Sequence, residues 1–215
     1  MTGPIVVINP NSNTAVTDGI SAALDRFRFK DGPAIECLTL AEGPFGIESQ
    51  ADSDAVIGPQ LALMRSRPDA GAFVIACYSD PGLETAREQL SQPVFGIQES
   101  GVLTAMARGD RFGVIALSEA SISRHRRYLR RMGVLERLAA ERAADLSVSG
   151  SAGDGAFQAL ASAGERLIAD GADTIILGCA GMARHRAGLE AKLGLPVIDP
   201  CLSAVAMALG ALSAE

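Results

Sequence analysis

The chain reads as an α/β protein built from two similar lobes that face each other, each a parallel sheet flanked by helices. Three observations predict this. Short runs rich in Val and Ile recur along the whole length, helix-period segments fill the gaps, and a strand ending in cysteine and small residues occurs once in each half.

The apolar runs fall at 5–8, 35–40, 72–76, 94–97, 112–117, 174–177 and 197–198. They are apolar at successive positions instead of alternating, as parallel strands buried on both faces are. Helices are expected at 14–28, 50–66, 82–90, 99–108, 120–132, 154–170, 182–193 and 201–213. Val16, Ile20, Leu24 and Phe27 recur at spacings of three and four, and Phe157, Leu160, Leu167 and Ile168 lie on one face of their helix. The β-α alternation implies right-handed crossovers. The first lobe is expected over 1–97 and the second over 98–199, with the last segment, 200–215, free to pack back onto the first. Residues 150–155, Gly-Ser-Ala-Gly-Asp-Gly, are glycine-rich enough for a mobile loop.

Composition narrows the function. Of 215 residues, 48% are hydrophobic and 20% charged, values of an ordinary folded domain. A net charge of −6 disfavours nucleic acid and anionic membrane as partners, because both demand basic surface, and leaves a small molecule as the expected ligand. No apolar run nears the roughly 20 residues that span a bilayer, and the first residues lack the pattern of a signal peptide. The expected location is the cytoplasm, where the four cysteines, Cys37, Cys77, Cys179 and Cys201, stay reduced. None forms a close CxxC or CxH pair and only two histidines are present, so no metal site is expected.

Strand ends are where a ligand is expected, since in open α/β sheets the crevice beyond the carboxyl ends of strands meets the free N–H groups of helix starts. Four ends run into small or polar residues: Asn9-Pro10-Asn11-Ser12-Asn13, Cys77-Tyr78-Ser79-Asp80-Pro81-Gly82, Ser118-Glu119 and Gly178-Cys179-Ala180-Gly181. Two opposed thiols suit the removal of a proton from one face of a carbon and its return to the other. Helix N-terminal N–H groups can lower a thiol toward neutrality, where thiol and thiolate coexist. The carbanion's charge then needs donors, and the backbone and hydroxyls of Tyr78, Ser79, Ser118, Ala180 and Gly181 are candidates. Asp80 followed by Pro81 is expected to cap the helix after Cys77 and aim its positive end at the site. Burial as core filler is the other reading of an unpaired cysteine, and spacing leaves both open.

The segments Val7-Ile8-Asn9-Pro10-Asn11-Ser12, Ala76-Cys77-Tyr78-Ser79-Asp80-Pro81-Gly82-Leu83 and Leu177-Gly178-Cys179-Ala180-Gly181-Met182-Ala183 together resemble the hydantoin racemase group of the aspartate/glutamate/hydantoin racemase superfamily. The resemblance runs along the whole chain. It implies an active site between the lobes, Cys77 and Cys179 as the catalytic pair, and no cofactor. It also supports Asn9, Asn11 and Ser12 as substrate-binding residues. Amino-acid racemases of that superfamily follow the first cysteine with Asn-Thr and the second with Thr and then His or Glu. This chain has Tyr-Ser-Asp-Pro-Gly and Ala-Gly-Met, which argues against a free amino acid and for a neutral ring of the 5-substituted hydantoin or allantoin type. Aspartate or glutamate racemisation, maleate isomerisation, a related decarboxylation and non-catalytic binding of a small molecule are the rival readings.

Other features are read as structural. The run Arg124, His125, Arg126, Arg127, Arg130 and Arg131 is expected to be a solvated helix face or a contact between subunits of a homo-oligomer. Cys37 is expected as core filling and Cys201 at a helix start, while Phe45, in Gly43-Pro44-Phe45-Gly46, is a candidate to touch the ring substituent.

Overall fold

The structure, a computed structural model, describes residues 3–213; residues 1, 2, 214 and 215, at the outer ends of the expected first lobe and of segment 200–215, lie outside it. In chain order the elements are β1 (Ile5–Asn9), α1 (Thr14–Ala23), β2 (Ile35–Thr39), α2 (Gln50–Ala55), α3 (Ile57–Arg65), β3 (Ala72–Ile75), α4 (Leu83–Gln89), β4 (Val94–Gly96), α5 (Ile97–Arg108), β5 (Phe112–Ala116), α6 (Glu119–Met132), β6 (Leu138–Ala143), α7 (Val148–Ser151), α8 (Ala156–Ala169), β7 (Thr174–Leu177), α9 (Arg186–Leu193), β8 (Val197–Ile198) and α10 (Pro200–Ser213). The strands form two four-stranded parallel sheets, ordered β2-β1-β3-β4 and β6-β5-β7-β8.

The two orders are the same order. In each sheet the chain leaves the first strand, adds the second on one side and the third on the other. Each sheet therefore has a switch point between its first and third strands, where adjacent connections diverge and a crevice opens. Side chains alternate across β1: Ile5 and Val7 join the large core shared by both sheets, whereas Val6 and Ile8 pack with Phe73, Ile75, Leu61 and Met64 on the outer face of the first sheet.

The terminal helices of the sheets are exchanged. Helix α5 follows the first sheet but packs on β5, β7 and β8 of the second, and α10 follows the second but packs on β1, β3 and β4 of the first. The two helices also pack on each other. Helix α10 is apolar along most of its length because it lies in this shared core, burying Val205, Ala204 and Ala208. Its start is capped by Asp199, whose Oδ1 accepts the N–H groups of Cys201 at 2.8 Å and Leu202 at 3.2 Å, with Pro200 in the first turn. Cys201 is buried there, and Cys37 on β2 packs partly buried against the core. Among the described residues no helix is long and apolar enough to cross a membrane.

Several expected elements shift. Helix 14–28 ends as a 3-10 turn over Leu24–Phe27, 50–66 breaks at Val56 into α2 and α3, and the first turns of 182–193 are a 3-10 helix, Ala180–His185. Strand β6 was not among the expected runs. Its Leu-Ala-Ala-Glu-Arg-Ala sequence favours helix locally, and parallel pairing with β5, with an irregular register beside Phe112, overrides that preference. The glycine-rich stretch 150–155 begins inside α7, and Ser151 is fully buried, so this stretch is in part core structure instead of loop alone.

Candidate active site

Cys77 and Cys179 occupy equivalent positions at the two switch points. In the first sheet Ile8 is in register with Ile75, the Ala76 N–H donates to the Ile8 carbonyl at 2.8 Å, and Cys77 follows. In the second, Ile115 is in register with Leu177, the Gly178 N–H donates to the Ile115 carbonyl at 2.8 Å, and Cys179 follows. A Cβ on Gly178 would stand 2.5 Å from that carbonyl oxygen, so only glycine lets the strand approach this closely. Both cysteines line one cleft with Asn11, Ser79 and Ala180. The cleft holds about 470 Å³ of atom-free space, mouth included, but only about 40 Å³ of it admits the centre of a water molecule. Its interior is tight relative to its mouth.

The two thiols are held differently. The Cys179 Sγ accepts the Gly181 N–H at 3.4 Å and lies 3.8 Å from Ser151 Oγ. Ser151 Oγ also lies 2.7 Å from the Val148 carbonyl, to which it donates. A Cβ on Gly181 would meet Ser151 Oγ at 2.7 Å, which explains glycine there. The Cys77 thiol is stabilised as thiolate by the Ser79 N–H and opposed by the charge of Cys179. The expected fall in thiol pKa is not found. Burial pushes Cys77 up to about 12 although the residue is only partly buried at the cleft, and burial also raises Cys179; the N–H bonds offset only part of this.

Asp80 does not cap the helix after Cys77. Helix α4 starts at Leu83 behind Gly82, which has φ of 70°. Asp80, itself at φ of 43°, turns the other way and accepts the N–H groups of Gln98 and Glu99, both at 2.9 Å, so it caps α5. A Cβ on Gly96 would come within 2.3 Å of that carboxylate. The Cys77 loop is thus tied to the start of α5, and burial pushes the Asp80 carboxyl up to about 7 against these two bonds.

The other expected site residues divide. Asn11, Tyr78, Ser79 and Ala180 line the cleft, and Gly181 gives its N–H to Cys179. Asn9 is buried beneath the first loop, with Nδ2 donating toward Asn11 Oδ1, the Asn13 carbonyl and Thr17 Oγ1 at 3.0–3.2 Å, so it braces the loop that presents Asn11. Ser12 is bound through its N–H to the Pro44 carbonyl at 2.9 Å, outside the lining. Ser118 precedes α6 without a side-chain cap, and Leu117 and Ser121 line the cleft in its place. Phe45 is 65% exposed and turned away; Ile47 takes the inward position.

Helix α6 supplies what sequence reasoning missed. His125 is only 3% exposed and its Nδ1 lies 2.9 Å from the buried Glu141 Oε2, so it is not part of a solvated face. Tyr78, 4% exposed and with an unpartnered hydroxyl, stands edge-on to the His125 ring at 5.0 Å. Arg124 and His125 both line the cleft, whereas Arg126, Arg127 and Arg130 are exposed. The signal was present: Ser121, His125 and Leu129 recur every four residues and form the buried face.

The profile of the Asp/Glu/Hydantoin racemase family matches residues 5–208. A hydantoin racemase of Pseudomonas sp. (strain NS671) is 35% identical over 209 residues, 95% of this chain and 84% of that protein. A hydantoin racemase of Paenarthrobacter aurescens is 31% identical over 212 residues, covering 95% and 89%. The structure of an allantoin racemase from Klebsiella pneumoniae is 32% identical and superposes with a TM-score of 0.92 over 99% of this chain and 88% of that one. The class is thereby defined as a racemase, an isomerase on a two-lobed α/β fold. Within that class the chain belongs to the Asp/Glu/hydantoin racemase family, in its hydantoin racemase group.

Proposed function

We propose that the chain racemises 5-substituted hydantoins or allantoin by 1,1-proton transfer between Cys77 and Cys179. The observation that carries this is that the two thiols, one from each sheet, stand at equivalent register positions and line one cleft. The names of the hydantoin and allantoin racemases that resemble the chain support the substrate class.

One cysteine, as thiolate, takes the C5 proton. The C–H electron pair moves into the ring and onto the adjacent carbonyl oxygen, which becomes an enolate. The other cysteine, as thiol, delivers its proton to the opposite face of C5, and the electrons return. At the end the protonation states of the two sulfurs have exchanged, so each enantiomer leaves the site primed for the other. A thiolate with a raised pKa is scarce but strongly basic, which suits a weak carbon acid. The N–H groups of Ser79 and Gly181 stabilise the two thiolates, and Tyr78 and Ala180, which line the cleft, are the candidates to offer backbone N–H groups to the enolate oxygen.

This reading uses no metal and no pyridoxal phosphate. It takes the chain as a cytoplasmic homo-oligomer whose first lobe, 1–97, is completed by 200–215 and whose second is 98–199. The test is direct. With enzyme, the optical rotation of a single-enantiomer 5-substituted hydantoin or of allantoin decays and solvent deuterium enters at C5; Cys77→Ser and Cys179→Ser each stop both. Rotation that stays constant with every such ring, alongside conversion of maleate to fumarate, would overturn the reading.

A further inference from the structure

The cleft has a cationic wall that proton transfer at a neutral ring does not use. Arg124 lines the cleft beside His125, its Nε is buried without a partner, and its one hydrogen bond among the described residues is from Nη1 to the Ala120 carbonyl at 3.4 Å. The neighbouring arginines are engaged: Arg131 pairs with Glu84 at 2.9 Å, and Arg127 Nη2 donates to Gln50 Oε1 at 3.1 Å. A second cavity, with about 420 Å³ open to water, adjoins the first through Ser79 and Arg124, which line both. Arg124, Arg127 and Arg131 face it, together with Tyr128 and a single carboxylate, Asp54, that already accepts from Gln50 Nε2 at 2.8 Å.

The cleft for the ring adjoins, past Arg124, a wider cavity lined by three arginines. Asp52, the carboxylate that feels the Arg124 charge, lies outside both linings and is held by the N–H groups of Glu48 and Ser49. A substituent leaving the ring toward Ser79 passes Arg124. In a protein of net charge −6, a local arginine wall facing the cleft concentrates small anions where the rest of the surface repels them. A guanidinium with an unpartnered Nε–H fits a carboxylate in the side-on, two-bond mode once its side chain turns that buried edge toward the ligand, and enclosure strengthens such a bond. His125 adds a second polar contact, because Nδ1 is taken by Glu141 and Nε2 is the ring nitrogen left for a ligand.

We propose that Arg124 binds a carboxylate carried by the ring substituent, so that the preferred substrates are hydantoin-type rings whose 5-substituent ends in an anion. This rests on the racemase reading above and names the substrate class within it. The probes are hydantoin-5-acetic acid and hydantoin-5-propionic acid, each compared with its primary amide, which has the same shape and no charge.

Racemisation is followed by polarimetry and by deuterium entry at C5 in the wild type, Arg124→Gln and Arg124→Lys. The expected result is a kcat/KM ratio of acid to amide of about tenfold or more in the wild type, the size of one hydrogen bond to a charged group. That ratio falls to about one in Arg124→Gln, chiefly through a higher KM for the acid, and stays intermediate in Arg124→Lys, which keeps the charge without the fork. Amides turned over as well as acids by the wild type, or an acid preference that survives in Arg124→Gln, overturns this inference and leaves the racemase reading standing. Absence of deuterium entry with acids and amides alike overturns this inference, and the same absence with allantoin and the other 5-substituted hydantoins overturns the racemase reading as well.

Discussion

The two thiol-bearing strand ends are equivalent in register and unlike in surroundings. At the Cys179 end the sulfur is buried, receives the Gly181 N–H from the first turn of a 3-10 helix and faces Ser151. At the Cys77 end the residue is partly open, the helix begins later, at Leu83, and the loop between is tied by Asp80 to α5, a helix that packs on the opposite sheet. A repeated β-α framework therefore delivers two sulfurs to matching places, while the loops after them set two different local chemistries. That inequality is expected of a site that meets mirror-image substrates with an asymmetric protein.

The largest effect that would break the comparison comes from the sulfurs themselves. Cys77→Ser and Cys179→Ser are each expected to lower racemisation by about 10²–10⁴, the usual contribution of a positioned acid or base. A variant retaining near wild-type rates by polarimetry would show that its end takes no part. The Gly181→Ala variant sharpens the comparison, since its Cβ meets Ser151 Oγ and displaces the N–H that only the Cys179 end receives from this turn. A loss of about 10- to 100-fold in kcat/KM is expected, the value of a hydrogen bond to a charged sulfur. Because racemisation has an equilibrium constant of one, kcat/KM falls equally for both hands. The inequality of the ends should show in kcat, which is expected to change more for the enantiomer from which Cys179 takes the proton, and equal changes in kcat would argue that the ends are coupled instead of separate.

Acidity gives a third test. Burial raises both thiols, so the thiolate fraction, and with it kcat/KM, should climb steadily between about pH 7 and 10 without levelling near neutrality. A plateau by about pH 7 would mean that the N–H donors outweigh burial. Asp80 tests the Cys77 end through stability. Its carboxyl holds a proton more tightly folded, up to about 7, than unfolded, near the ordinary 3.8. Its stabilising contribution is thus complete below about pH 4 and is lost as pH rises through 7. Thermal unfolding from pH 4 to 8 should show that slope, and Asp80→Asn should flatten it while costing about 1–3 kcal/mol for the disturbed N–H bonds. An unchanged slope would rule Asp80 out as its source. The smallest effect is expected from Phe45→Ala: an exposed ring outside the lining should alter stability by less than about 0.5 kcal/mol and leave turnover unchanged. A clear loss of turnover would show that its loop closes on the cleft.

The legible part of this site was the part written in consecutive residues. Asn11, the Cys77-Tyr78-Ser79 turn and the Gly178-to-Gly181 turn each sit at the end of an apolar run, and such runs must be strands wherever they are buried on both faces. Their neighbours misled when a local rule had a stronger distant competitor. Asp80-Pro81 has the form of a helix start, yet the carboxylate finds the free N–H groups of α5, 18 and 19 residues on. Phe45 is apolar enough to line a pocket, but its loop turns Ile47 inward.

By itself, the sequence determined the parallel α/β architecture, the two repeated strand ends and the placement of a cysteine at each. Hydrophobic periodicity and the conformational needs of glycine act over a few residues and leave little choice. Only the tertiary structure decided that Arg124 and His125 turn inward, that β6 is a strand and Glu141 a buried partner, that Ser151 meets Cys179, and that α5 and α10 change places. Each of these depends on a partner far along the chain: 16 residues separate His125 from Glu141, and 28 separate Ser151 from Cys179. A buried charge or an edge strand is stable only once that partner is in position, so no local pattern could announce it.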